Sequence, residues 1–199
     1  MILSDSAIWD LIESRELVIQ PILERDQIHG AKVDVRIDNV VYGVKRLEKP
    51  SFDITKDDPK EYTEEKKIPY KDKLVLHPHD FMTAPIFEMV KLPNYLVGRL
   101  DGRSSLGRLG AIVHATAAGI DPGYSGKIVC ELTNVGSLPI ELPPLTRIAS
   151  ISFERVEGPV KLDYAKRKQM QKGKYGTRVE SAISKDSDYA SIQEMIKRL

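Results

Sequence analysis

Glu131 lies in the run Lys127-Ile128-Val129-Cys130-Glu131-Leu132-Thr133, whose apolar and β-branched residues read as a strand. Alternation sends Val129, Glu131 and Thr133 to one face and Ile128, Cys130 and Leu132 to the other. On an edge strand that carboxylate faces water. On an internal strand it stands in apolar company, where a charge is costly unless paired or put to use. A carboxyl held in such a place is a candidate proton shuttle.

A second constellation runs from Leu100 to Gly110, where Gly102, Arg103, Ser104, Ser105, Leu106, Gly107, Arg108 and Gly110 crowd together. Backbone N–H groups, two hydroxyls and two guanidinium forks can converge there on an anion. The spacing is not that of a Walker loop. The other reading is a surface turn with solvated arginines. A third constellation, Gly119 to Gly126, sets Asp121 and Tyr124 around Pro122-Gly123. That is ordinary turn chemistry, or a carboxylate and a ring held rigidly against a sugar hydroxyl and a ring face. His77-Pro78-His79 reads as a turn rather than a metal site, and His114 as a hydrogen-bonded core residue.

These residues need a scaffold, and the chain supplies mostly strands. Ser4 and Asp5 cap a short amphipathic helix to about Ser14, with Ile8, Leu11 and Ile12 on one face. From Leu17 to about Glu157, β-type runs follow: LVIQPIL, AKVDVRI, VVYGV, KLVLH, YLVGRL, GKIVCEL and RIASISF. Turn formers such as Asp121-Pro122-Gly123 and Leu142-Pro143-Pro144 separate them. The charged stretch from Glu48 to Lys73 reads as a surface loop or a long hairpin excursion. Behind Asp188, the residues Tyr189, Ile192, Met195, Ile196 and Leu199 would share one face of a terminal helix.

The chain has 199 residues, 41% hydrophobic and 30% charged, with a formal net charge of +1. That suits one globular domain and argues against a chain built to coat nucleic acid. The positive charge is local. From Lys161 to Lys185 eight basic residues face only Asp163 and Glu180, a segment suited to polyphosphate, to RNA or to a solvated tail. A single cysteine, Cys130, excludes an internal disulfide and any Cys-pair zinc site. No apolar run is long enough for a membrane-spanning helix, and the acidic start MILSDSAIWD is unlike a signal peptide. A cytoplasmic location is the expectation.

Taken in order, GRLDGRSSLGRLG, HATAAGIDPGYSGKIVCELTN and the later DYAKRK and GKYG resemble the dCTP deaminase branch of the dUTPase-like trimeric nucleotide hydrolases. AKVDVRI and RIASISF look like that family's other strands. The resemblance implies a mainly β fold, a distorted β-barrel or jelly-roll-like subunit with a short N-terminal helix and a C-terminal helix. Residues 1–160 would form the β domain and residues 161–199 a basic segment closing over phosphates. It further implies a homotrimer with interfacial active sites that take dCTP, with no membrane or nucleic-acid partner.

By that resemblance Glu131 is the catalytic glutamate, activating water for attack on C4 of cytosine. Ser104 and Arg108 help position water, base and glutamate. The stretch Arg103, Ser104, Ser105, Leu106, Gly107, Arg108 also touches phosphates, partly from a neighbouring subunit. Ala117 offers backbone to the base or water, Asp121 holds the 3′-hydroxyl, and Val129 with Cys130 lines the pocket beside the base. Tyr164 and Lys174 close over the triphosphate, with Arg178 as the stand-in for a family glutamine. Mg²⁺ would ride on the triphosphate without a protein cage, and the scheme uses no zinc. Ala118 and Gly119 match neither the deaminase-only nor the bifunctional pattern, and the tail lacks the glycine-rich aromatic motif of dUTPases. The expectation drawn from this is deamination alone, releasing dUTP, with a dUMP-forming bifunctional enzyme, a dUTPase and a non-catalytic nucleic-acid-binding scaffold as the alternatives.

Overall fold

The computed structural model describes residues 1–45, 50–53 and 57–170. The expected first helix spans Asp5–Glu13: the Ser4 hydroxyl accepts from the Ala7 N–H at 3.3 Å, and Ile8 and Leu11 are buried on its inner face. Beyond it, among the described residues, strands that pair antiparallel alternate with turns and short helical segments.

Two five-stranded sheets dominate. In one, Leu96–Gly102 and Arg147–Arg155 pair along seven residues, with Lys32–Arg36 and Ile28–His29 beyond and Gly119–Ile120 at the other edge. In the other the order is Ala111–Ile112, Val129–Asn134, Phe81–Pro85, Val40–Val44 and Thr63–Lys67. A three-stranded sheet (Val18–Gln20, Met89–Lys91, Ser125–Gly126) and a pair (Ile140–Leu142 with Leu74–Leu76) complete it. The architecture is the jelly-roll-like, mainly β one expected. The sheets do not close into a barrel, because each ends on strands of two to five residues that pair on one side only.

One cluster of buried side chains joins the two large sheets, with Val33, Val35, Ile151 and Phe153 from the first and Val41, Ala84, Cys130 and Leu132 from the second. Full burial of each large apolar side chain contributes about 1.5–3 kcal/mol, so this cluster is the platform on which everything else is set.

Of the stretch from Glu48 to Lys73, residues 48–49 and 54–56 lie outside the described residues, and Thr63–Lys67 is a strand. Thr63–Lys67 pairs with Val40–Val44, Val44 opposite Thr63 and Val40 opposite Lys67. Its sequence, TEEKK, carries no apolar alternation because it is an edge strand exposed at every position but Thr63. His77 to Asp80 is the expected turn, with the His77 N–H donating to the Asp80 carboxylate at 2.8 Å. His114 departs from expectation: it is half-buried, and its imidazole has no hydrogen-bond partner among the described residues.

Candidate active site

Val129–Asn134 is an internal strand at Glu131. Phe81–Pro85 flanks it on one side, with Thr83 opposite Glu131, and the Glu131 N–H donates to Val113 O at 3.0 Å on the other. The alternation is as expected: Cys130, Leu132 and Asn134 are buried, while Val129, Glu131 and Thr133 are half-open. Glu131 is thus neither a solvated edge residue nor a sealed core one. Its Oε2 accepts from the backbone N–H of Ala115 at 2.8 Å and of Thr116 at 2.9 Å. The Thr116 hydroxyl stands 3.4 Å from both carboxylate oxygens. Two backbone donors on one oxygen fix the carboxylate's orientation and leave Oε1 with the longer Thr116 contact.

Cys130 points the other way. Its side chain is fully buried, and burial first, then the neighbouring charges of Glu131 and Glu88, pushes the thiol up to about 12. What it can present on the Glu131 face is therefore backbone. Thr83, across from Glu131, is a residue that sequence reasoning did not single out. It is buried, and its hydroxyl has no hydrogen-bond partner among the described residues. A threonine inside FMTAP carries no signal that would have found it.

The Arg103–Gly110 stretch is a short helical turn, Ser104–Gly107, that packs against Ala111–Ile112. Leu106 is half-buried and anchors it, while Ser104, Ser105, Gly107 and Arg108 are exposed. Gly110, at φ +97°, ends the turn; a Cβ there would lie 2.4 Å from the Gly136 nitrogen, so the two loops meet only because the residue is glycine. Arg103 is tied back to the sheet. Its N–H donates to Ile148 O at 3.3 Å, its Nη1 to Arg147 O at 3.4 Å, and its Nη2 stands 3.8 Å from the buried Asp34 carboxylate. Arg147 reaches the same carboxylate at 3.4 Å and also pairs with Glu24 and Asp26. The Arg147 contact in turn holds the Asp26 carboxyl below its usual value.

Asp121, Pro122, Gly123 and Tyr124 form the expected turn, the Tyr124 N–H donating to Asp121 O at 3.1 Å with Gly123 at φ +76°. The Tyr124 hydroxyl donates to Lys127 O at 2.8 Å, and burial pushes its pKa up. Onto this turn docks a helix, Tyr164–Met170, from the start of the basic tail. The Tyr164 N–H donates to Pro122 O at 2.9 Å, and the rings of Tyr164 and Tyr124 lie 4.9 Å apart. Arg167 Nη2 donates to Asp121 Oδ2 at 2.5 Å. Tyr164 is therefore brought to the Asp121 turn; Lys174, Arg178 and the expected terminal helix lie outside the described residues. Ala117 is exposed in the loop that follows the two donors to Glu131.

Among the described residues, no three His, Cys, Asp or Glu side chains gather as a metal cluster, and no helix is long and apolar enough to cross a membrane. A magnesium ion carried on a triphosphate would need no such cluster.

Comparison with known proteins gives one consistent result. A protein of Dictyoglomus turgidum named "dCTP deaminase, dUMP-forming" is 44% identical over 168 residues, covering 84% of this chain and 87% of that one. One of the same name from Methanobrevibacter smithii is 37% identical over 172 residues, covering 86% and 89%. A "dCTP deaminase" of Shewanella sp. (strain ANA-3) is 39% identical over 193 residues, covering 94% and 100%. The crystal structure of 2′-deoxycytidine 5′-triphosphate deaminase from Agrobacterium tumefaciens superposes with a TM-score of 0.62 at 25% identity over 78% of this chain, which spans 48% of that longer one. With residues 2–156 matched by the family model described as dCTP deaminase-like, the chain belongs to that family.

Proposed function

We propose that this chain deaminates dCTP, with Glu131 as the group that moves protons, and carries the product on to dUMP and diphosphate. The observation that supports the first step is the half-exposed Glu131 carboxylate, oriented through Oε2 by two backbone N–H groups, with the Thr116 hydroxyl 3.4 Å from Oε1. Glu131 takes a proton from water as the water oxygen bonds to C4, and hands that proton to N3. The hydroxyl proton of the tetrahedral intermediate then passes through Glu131 to the amino group. Ammonia leaves, C4 becomes a carbonyl, and N3 keeps its hydrogen, so one water is consumed per ammonia released. A carboxyl that alternates between base and acid in this way contributes about 10²–10⁴-fold.

The other residues bind and orient. Ser104 and Arg108 position water and base, with backbone from Ala117; Val129 and the Cys130 backbone line the pocket; Asp121 takes the 3′-hydroxyl, with Tyr124 beneath the sugar. Arg103 to Arg108, Tyr164, Lys174 and Arg178 meet the triphosphate. Since Ser104, Ser105 and Arg108 are exposed, a second copy is proposed to complete each site, as a homotrimer. Leu109, 61% exposed, and Leu138, 74% exposed, line one hollow together with Arg108, an apolar surface of the kind that subunit contacts cover. Magnesium on the phosphates neutralises their charge; activity of metal-stripped protein should return with Mg²⁺ alone. Recovery only with Zn²⁺ would overturn this scheme.

The dUMP product is favoured over dUTP by the names of two of those relatives, including the one at 44% identity. The expectation of deamination alone rested on Ala118 and Gly119, which fit neither pattern, and on a tail without the glycine-rich aromatic motif of dUTPases. Incubation with dCTP and Mg²⁺, followed by anion exchange and an ammonia assay, should give ammonia, dUMP and diphosphate in equal amounts. Accumulating dUTP would restore deamination alone; nucleotide turnover without ammonia would overturn the proposed deamination.

A further inference from the structure

We infer that Arg167 is a positioning residue for the sugar-binding carboxylate, so that the basic tail acts on recognition of the 3′-hydroxyl as well as on phosphate. The inference rests on the proposed role of Asp121 as the acceptor for that hydroxyl.

Arg167 Nη2 donates to Asp121 Oδ2 at 2.5 Å, and no donor among the described residues reaches Oδ1. A carboxylate on a turn rotates about its Cβ–Cγ bond. With Oδ2 held by a guanidinium, Oδ1 is left at a fixed place with its lone pairs free for a hydroxyl. The pair is open to water, the Asp121 side chain 47% and the Arg167 side chain 41% exposed. An ion pair that exposed contributes little to folding, so stability does not explain why it is there.

Arg167 is itself delivered with care. Its helix is pinned to the same turn by the Tyr164 N–H on Pro122 O and by the Tyr164–Tyr124 ring contact. The Arg167 N–H donates to Asp163 O at 2.9 Å, and its guanidinium lies 5.8 Å from the Tyr164 ring. Gly123 admits this docking: a Cβ there would lie 3.2 Å from the Asp163 Cβ. Four contacts thus converge on bringing one guanidinium to one carboxylate oxygen.

The test compares dCTP with 2′,3′-dideoxy-CTP, which keeps base and triphosphate and lacks only the hydroxyl. Binding is measured by calorimetry with Mg²⁺ for the full chain and for Arg167→Ala and Arg167→Lys, alongside kcat and KM for dCTP. Arg167→Ala should weaken dCTP about tenfold, the worth of one hydrogen bond, and dideoxy-CTP less than twofold. The loss should appear in KM with kcat nearly unchanged, and Arg167→Lys should recover part of it. Equal weakening of both nucleotides would mean that Arg167 serves the phosphates, overturning the inference while leaving the proposed function standing. A wild-type protein that binds both nucleotides equally would instead overturn the role of Asp121, and the inference with it.

Discussion

Replacing Glu131 by glutamine is expected to remove about 10²–10⁴-fold of dCTP turnover while leaving fold and nucleotide binding in place. The separation follows from the geometry. The two backbone N–H groups of Ala115 and Thr116 require an acceptor, and an amide oxygen in the place of Oε2 serves them as well as a carboxylate oxygen. The amide nitrogen then occupies the position of Oε1. It fills the same space and donates hydrogen bonds, but it cannot take a proton from water. The local loop is therefore undisturbed and only proton transfer is lost. Rates measured under single turnover, beside dCTP binding by calorimetry, separate the two effects. A variant with more than about a tenth of wild-type turnover, one factor of ten in rate, would remove Glu131 from the chemistry.

Glu131 was legible because its run alternates cleanly, and the alternation survives in the structure. The same holds for Lys32–Arg36, Leu96–Gly102 and Arg147–Arg155, whose apolar runs build the first large sheet. Two kinds of element escaped. Strands of two or three residues, such as Ser125–Gly126 and Met89–Lys91, are too short to show a period and exist only through their partners. Thr63–Lys67 hid behind its charges, which suit an edge strand and read as loop. At the site, residue types and order pointed to Glu131, Asp121 and the arginines, but pairings did not follow from them. Nothing in the spacing of Asp121 and Arg167, or of Asp34 and Arg103, announces a contact, since both come from chain segments brought together only by folding. Nor does composition reveal that one glutamate is wholly enclosed.

That glutamate, Glu88, is fully buried, and its environment sets the second large effect, on stability. Its Oε1 accepts from Gln27 Nε2 at 2.9 Å and its Oε2 from the Arg36 N–H at 2.9 Å, with the Arg36 guanidinium 3.6 Å away. Arg36 also donates to Gln27 Oε1 at 2.5 Å and to Glu24 at 2.7 Å. Arg36→Met keeps the stem and removes the charge, leaving Glu88 enclosed with two neutral donors. Breaking a buried pair from one side costs about 3–5 kcal/mol; the lower end applies here because those two donors remain. At about 2–4 °C per kcal/mol for a chain of this size, the melting temperature should fall by roughly 10 °C. The deficit should depend on pH in a defined direction. Burial holds the Glu88 pKa above its usual 4.5 against the smaller opposing pull of its donors, so between that value and the raised one the folded state binds more protons than the unfolded. Ionising Glu88 therefore subtracts from stability as pH rises through that window, and losing Arg36 raises the folded pKa further. The variant should be weakest relative to wild type at neutral pH and above. It should close part of the gap as pH falls toward the ordinary carboxylate range, where Glu88 is protonated in the folded state. Melting curves of both proteins across that range would show it, and a deficit that stayed constant with pH would mean that the loss lies in the Gln27 and Glu24 contacts rather than in a stranded charge.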